Sequence, residues 1–139
     1  MRFVWSDEFS VKVQIIDDQH KEYFRIANRL DELIESGVKE GLQEHLLSVL
    51  ARLGNYALYH FSTEEEALNL GCPEADKHIA QHDDFRARMR GYLDEVRKED
   101  ANVPELAMEI NVYAINWLTA HILTTDANSA ECFRSAGLE

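Results

Sequence analysis

Apolar residues recur every three to four positions along most of the chain, and the recurrence breaks three times. The first stripe is Tyr23, Phe24, Ala27, Leu30, Leu33 and Ile34, broken at Ser36-Gly37. A second runs Leu42, Leu46, Val49, Leu50, Leu53, Ala57, Ala67 and Leu68, and stops at Gly71-Cys72-Pro73. A third, Phe85, Met89, Leu93 and Val96, fades in the charged segment that begins at Arg97; the fourth is Leu106, Ile110, Tyr113, Ala114, Trp117 and Leu118. That period belongs to amphipathic helices, so the pattern predicts four of them. The first starts behind Asp17 or Asp18 as N-cap, the second after Gly41, the third near Glu74, and the fourth at Asn102 with Pro104 near its first position. Ahead of them lies an arm, about residues 1–17, in which Val11, Val13 and Ile15 alternate and, with Trp5, predict an extended, packed segment. Four helices of similar length with short connections predict an all-α fold: an antiparallel up-down four-helix bundle, about residues 18–126, followed by a short tail in a single domain, 1–139.

Each stripe also carries histidine. Extended back one turn, the first reaches His20; the second includes His60 and Glu64, the third His78 and His82, and the fourth His121. His45, the sixth histidine, falls beside its stripe and reads as a surface residue. In an up-down bundle the start of helix one meets the end of two, the start of three and the end of four. The five striped histidines and Glu64 therefore converge on one end of the bundle. Buried without partners they would carry a large desolvation penalty. A metal removes it, because neutral imidazole and ionised carboxylate are the forms it coordinates.

Five nitrogens plus carboxylate oxygens exceed the four ligands of a structural zinc, and a bridging carboxylate favours a pair of ions. Glu64 is one candidate bridge. Asp126 is another, although five residues past His121 is about 140° around a regular helix. To reach the site it must sit where the helix ends, tightens or widens into a π-type turn. Glu65 and Glu66 read as a solvated face. There is no HExxH, no Glu-x-x-His, no glycine-rich phosphate loop and no plausible Ser/His/Asp order, so hydrolase and ferritin-like readings lack support.

Composition narrows the partners. The formal net charge of −12 over 139 residues would repel a nucleic-acid backbone or an anionic membrane. No apolar run approaches a membrane span and the start lacks a signal-peptide pattern, so the cytoplasm is the default expectation. Cys72 and Cys132 lack a CxxC spacing and are expected to be free thiols. The closing Leu138-Glu139 reads as a cloning scar and is left out of the expected fold.

"DDQH" at 17–20, "HFSTEE" at 60–65, "HIAQH" at 78–82 and "WLTAHILTTD" at 117–126 together resemble the bacterial hemerythrins over nearly the whole chain. The resemblance implies reversible O2 binding at a non-haem di-iron centre, with two Fe ions bridged by an oxo or hydroxo group and two carboxylates. It implies that His78, His82 and His121 hold one iron, that His20 and His60 hold the other, which keeps an open position, and that Glu64 and Asp126 bridge them. By the same resemblance Leu118 lies over the O2 site, with Trp117 and Phe24 lining the pocket. An O2 carrier or store, not an enzyme, is the expected role, with an O2-using enzyme as one partner it could serve. The alternatives are an O2 or redox sensor coupled to a signalling output domain and, behind it, a di-iron peroxide or nitric oxide reductase.

Overall fold

The computed structural model describes residues 1–139, and it contains helices without strands. Helix α1 spans Gln14–Glu35, α2 Leu42–Leu68, α3 Ala75–Val96 and α4 Val103–His121. A π turn, Ile122–Asp126, continues α4 directly into a fifth helix, α5, Ala127–Ser135. Helix α1 packs on α2 and α4, and α3 packs on α2 and α4. The result is the expected four-helix bundle, its interior filled by residues such as Tyr23, Leu30, Leu46, Leu53, Phe61, Phe85, Ile110 and Leu118. Helix ends fall where their chemistry requires. Asn102 caps α4 by accepting from Glu105 N–H, with proline in the first turn. Gly37 takes a left-handed conformation (φ 70°) that stops α1. No helix is long and apolar enough to cross a membrane.

Four expectations need correction. First, α1 begins at Gln14, so neither Asp17 nor Asp18 is its N-cap; that position is Val13, which has no capping side chain. Asp17 lies buried inside the first turn and reaches back to accept Val11 N–H (2.9 Å) and Ser10 Oγ–H (2.6 Å). The carboxylate satisfies the arm instead of the helix end, and both arrangements put an aspartate ahead of an apolar stripe. The arm is thus shorter than expected. Asp7–Phe9 forms a 3-10 turn, and Gln14–Ile16 belong to the helix. Phe3 anchors the arm by stacking on Phe24 (3.4 Å between ring centres) and exchanging two backbone hydrogen bonds with the Asn28 amide. The N-terminal ammonium reaches Asp31 Oδ1 (2.6 Å) and Asn111 Oδ1 (2.7 Å).

Second, the expected tail is α5, which packs on α2 and buries Ser129, Ala130 and Phe133. Its apolar residues are Ala127, Ala130, Cys132 and Phe133, and with only one large side chain among them the periodicity is too weak to register. Third, Leu138 and Glu139 take part in the fold: Leu138 packs at the edge of the core, and Glu139 O accepts from Ile15 N–H (3.0 Å). Fourth, Cys72 and Cys132 form a disulfide, with 5.7 Å between their Cα atoms. Sixty residues separate them, a spacing with no sequence signature; folding lays α5 beside the loop that follows α2.

Candidate metal centre

At the end of the bundle where α1 and α3 begin and α2 and α4 finish, seven polar side chains meet: His20, His60, Glu64, His78, His82, His121 and Asp126. None is more than 2% exposed. His45 stays outside, exposed near the start of α2. Two overlapping groups of donor atoms emerge, each within 4.8 Å: Glu64, His78, His82 and His121, and His20, His60, Glu64 and Asp126.

The carboxylates join the two groups. Glu64 Oε1 lies 3.3 Å from His78 Nε2 and 3.1 Å from His82 Nε2, while its Oε2 lies 3.4 Å from His60 Nε2 and 3.9 Å from His20 Nε2. Asp126 divides itself in the same way, with Oδ1 3.0 Å from His78 Nε2 and 3.2 Å from His121 Nε2, and Oδ2 3.0 Å from His20 Nε2. The π turn makes this possible. A π turn takes more residues per revolution than a regular helix, so five residues bring Asp126 back to the face that His121 occupies.

The outer nitrogens are partnered by residues that sequence reasoning missed. His60 Nδ1–H donates to Gln19 Oε1 (2.7 Å), His121 Nδ1–H to Gln81 Oε1 (2.8 Å), and His82 Nδ1–H to Glu65 Oε2 (2.7 Å). An amide oxygen or a carboxylate only accepts, so a proton sits on each Nδ1, and in the neutral imidazole Nε2 turns a lone pair inward. His78 Nδ1 meets Ser129 Oγ at 2.9 Å. Gln19 and Gln81 each precede one cluster histidine in sequence yet bond a histidine on a facing helix, so adjacency in the sequence does not reveal the pairing. Phe61 stacks on His82 (3.9 Å, 9° between planes) and Trp117 on His121 (4.6 Å, 14°). Leu118 is fully buried one turn before His121, whereas Phe24 stacks on Phe3 of the arm. The surface hollow of about 480 Å³ beside the disulfide is lined by none of the seven.

The electrostatics suit a cation. Nε2 of His20 and His60, Glu64 Oε2 and both oxygens of Asp126 are buried without a hydrogen-bond donor. His82 Nε2 and His121 Nε2 face each other at 3.3 Å. Burial first, then neighbouring imidazoles, hold His60 and His82 well below the usual histidine range. Burial, then Asp126, pushes Glu64 up. His121 is the exception: burial opposes its charged form, but Asp126 and Glu64 outweigh burial and raise it to about 9. Inward-facing lone pairs on imidazole and carboxylate, with no thiolate among them, fit a non-haem transition metal such as iron.

A helical bundle closed at one end over five histidines and two carboxylates defines the class: an α-helical, non-haem metal protein. The sequence profile of the hemerythrin HHE cation binding domain matches residues 11–128, and the chain belongs to that family. It is 29% identical over 125 residues to a bacteriohemerythrin of Clostridium acetobutylicum, covering 89% of this chain and 95% of that protein. A bacteriohemerythrin of Methylococcus capsulatus is 27% identical over 127 residues, covering 90% and 91%. The crystal structure of a wild-type hemerythrin superposes with a TM-score of 0.79 at 25% identity, covering 94% of this chain and 97% of that one. Membership makes this an O2-binding protein of the non-haem iron class.

Proposed function

We propose that this chain binds O2 reversibly at two iron ions and serves as an O2 carrier or store. The observation that carries this reading is the division of both carboxylates. One oxygen of Glu64 and one of Asp126 face His78, His82 and His121; the other oxygens face His20 and His60. One group would thus offer three imidazoles to its iron and the other only two, which leaves the second iron room for an exogenous ligand.

When bound, a reduced iron pair supplies the two electrons that O2 needs to bind as a reversible adduct. The chain does the rest. Gln19, Gln81, Glu65 and Ser129 fix the imidazole orientations from behind, so the inward nitrogens need little reorganisation. Leu118, Phe61 and Ile122 are buried beside the cluster and keep water away. A dry site would limit stray proton delivery to the inward-facing donor atoms.

The reduced protein, prepared without oxygen, tests this directly. Iron per chain is measured, O2 is admitted while the visible spectrum is recorded, and O2 is then removed. Near two irons with a spectrum that appears and reverses is the expected result. An immediate irreversible change would replace this reading with a redox sensor or a reductase.

A further inference from the structure

Behind the five imidazoles the structure is uneven, and the unevenness is one of charge. His60 and His121 lean on neutral amides, His78 on a hydroxyl, and His20 Nδ1 on nothing. His82 alone meets a carboxylate, Glu65 Oε2, at 2.7 Å. That same oxygen accepts from Arg86 Nη2 at 2.7 Å, and Arg86 Nη1 donates to Asp83 Oδ1 at 2.8 Å. The Arg86 guanidinium also lies 5.2 Å over the Phe61 ring, the ring that stacks on His82. Glu65 and Arg86 sit at the bundle's edge, with side chains 21% and 27% exposed, so a charge there is only partly screened by water.

We propose that Glu65 and Arg86 form an opposed pair that sets the donor strength of His82, Glu65 raising it and Arg86 restraining it. The inference rests on reading His82 as a metal ligand. A full negative charge at the Nδ1–H draws the proton outward and leaves more electron density on Nε2, strengthening its bond to a cation. The guanidinium on the same oxygen withdraws part of that charge. Both are positioning residues: neither reaches the inner cluster, and each acts through the imidazole. The two groups are thereby made electronically unequal as well as unequal in imidazole count. The three-histidine group has the anionic support, while the two-histidine group has one neutral amide.

The signs make the test. Co(II) is titrated into metal-free protein against a competing chelator, for the wild type and for Glu65→Gln, Arg86→Met and Arg86→Lys. Glu65→Gln keeps an acceptor of the same shape without its charge and should weaken the tighter site by about 10-fold or more. Arg86→Met removes the restraint and should tighten it a few-fold, while Arg86→Lys, which keeps the positive charge, should stay near the wild type. In the iron-loaded protein the midpoint potential should rise in Glu65→Gln and fall in Arg86→Met. If the pair merely holds the helices together, both Glu65→Gln and Arg86→Met weaken binding, and that result overturns the proposal, as does no change in either. The Arg86→Met and Arg86→Lys comparison stands alone should Glu65→Gln fold poorly. Reversible O2 binding is scored separately. A protein inert to O2 that shows the opposed Co(II) shifts sinks the functional reading and supports this one; shifts of the same sign overturn this one even where O2 binds.

Discussion

His60 and His82 are buried as neutral bases, and that has a consequence for metal-free protein. Their folded values lie below the ordinary histidine value of about 6.5, so below that pH the unfolded chain takes up protons that the folded chain refuses. Their contribution to stability is therefore present above about pH 6.5 and lost as pH falls. His121 behaves in the opposite sense. Raised to about 9, it stabilises fully below the ordinary value and loses its contribution as pH rises through about 9. Denaturant unfolding of chelator-treated protein should show greatest stability near pH 6.5 and a decline on both sides, on the alkaline side spread up to about pH 9; a flat profile from pH 5 to 10 would contradict the burial described above. Truncation at the cluster should act on metal and fold together. His82→Ala or Glu64→Ala should lower iron per chain and leave buried partners unsatisfied, at about 1–3 kcal/mol each. His45→Ala, at an exposed position, should change neither quantity.

Among the elements, the π turn is the one that decides the site. Asp126 and His121 share a face only because Ile122–Asp126 is wound more widely than a regular helix. One alanine inserted between the exposed Leu123 and Thr124 should swing Asp126, and α5 behind it, by about 100°. Iron content should then fall to that of Asp126→Ala; retention of wild-type iron would mean that Asp126 is dispensable. At the other end of the chain, α1 depends on the arm that precedes it. Asp17→Ala leaves the buried Val11 N–H without its acceptor and should destabilise by about 1–3 kcal/mol in urea or thermal unfolding, with little effect on the affinity for metal.

On the scale of the whole molecule, the Cys72–Cys132 disulfide and the metal centre tie down the same stretch of chain. His78, His82, His121 and Asp126 all lie between the two cysteines in sequence, while His20, His60 and Glu64 precede them. In the metal-free chain the bridge closes a loop with a sequence separation of 60, a chain-entropy contribution of about 4 kcal/mol. Metal held by the folded chain is released on unfolding, so it adds its own term without touching the disulfide's effect on the unfolded chain. A Cys72→Ser, Cys132→Ser double variant should thus lose several kcal/mol of stability in denaturant unfolding, by similar amounts with and without metal. A clearly smaller loss with metal would show that the unfolded chain keeps its metal.

The sequence by itself determined the class of fold, the bundle end where the polar residues gather, and the histidines and carboxylates that gather there. These follow from a period of 3.6 residues and from the alternating direction of successive helices, both properties of local spacing. It also bounded Asp126, because an interval of five demanded an irregular turn, without saying which irregularity. Only the tertiary structure decided what local spacing does not encode. Asp17 could cap a helix or hold an arm with the same sequence around it, and the outcome depended on where Val11 N–H came to rest. Glu65 reads as a solvated charge beside Glu66 until α3 brings His82 and Arg86 against it. Cys72 and Cys132, and the pairing of Gln19 with His60 and Gln81 with His121, join residues 40 or more positions apart, through contacts that form only when the bundle closes.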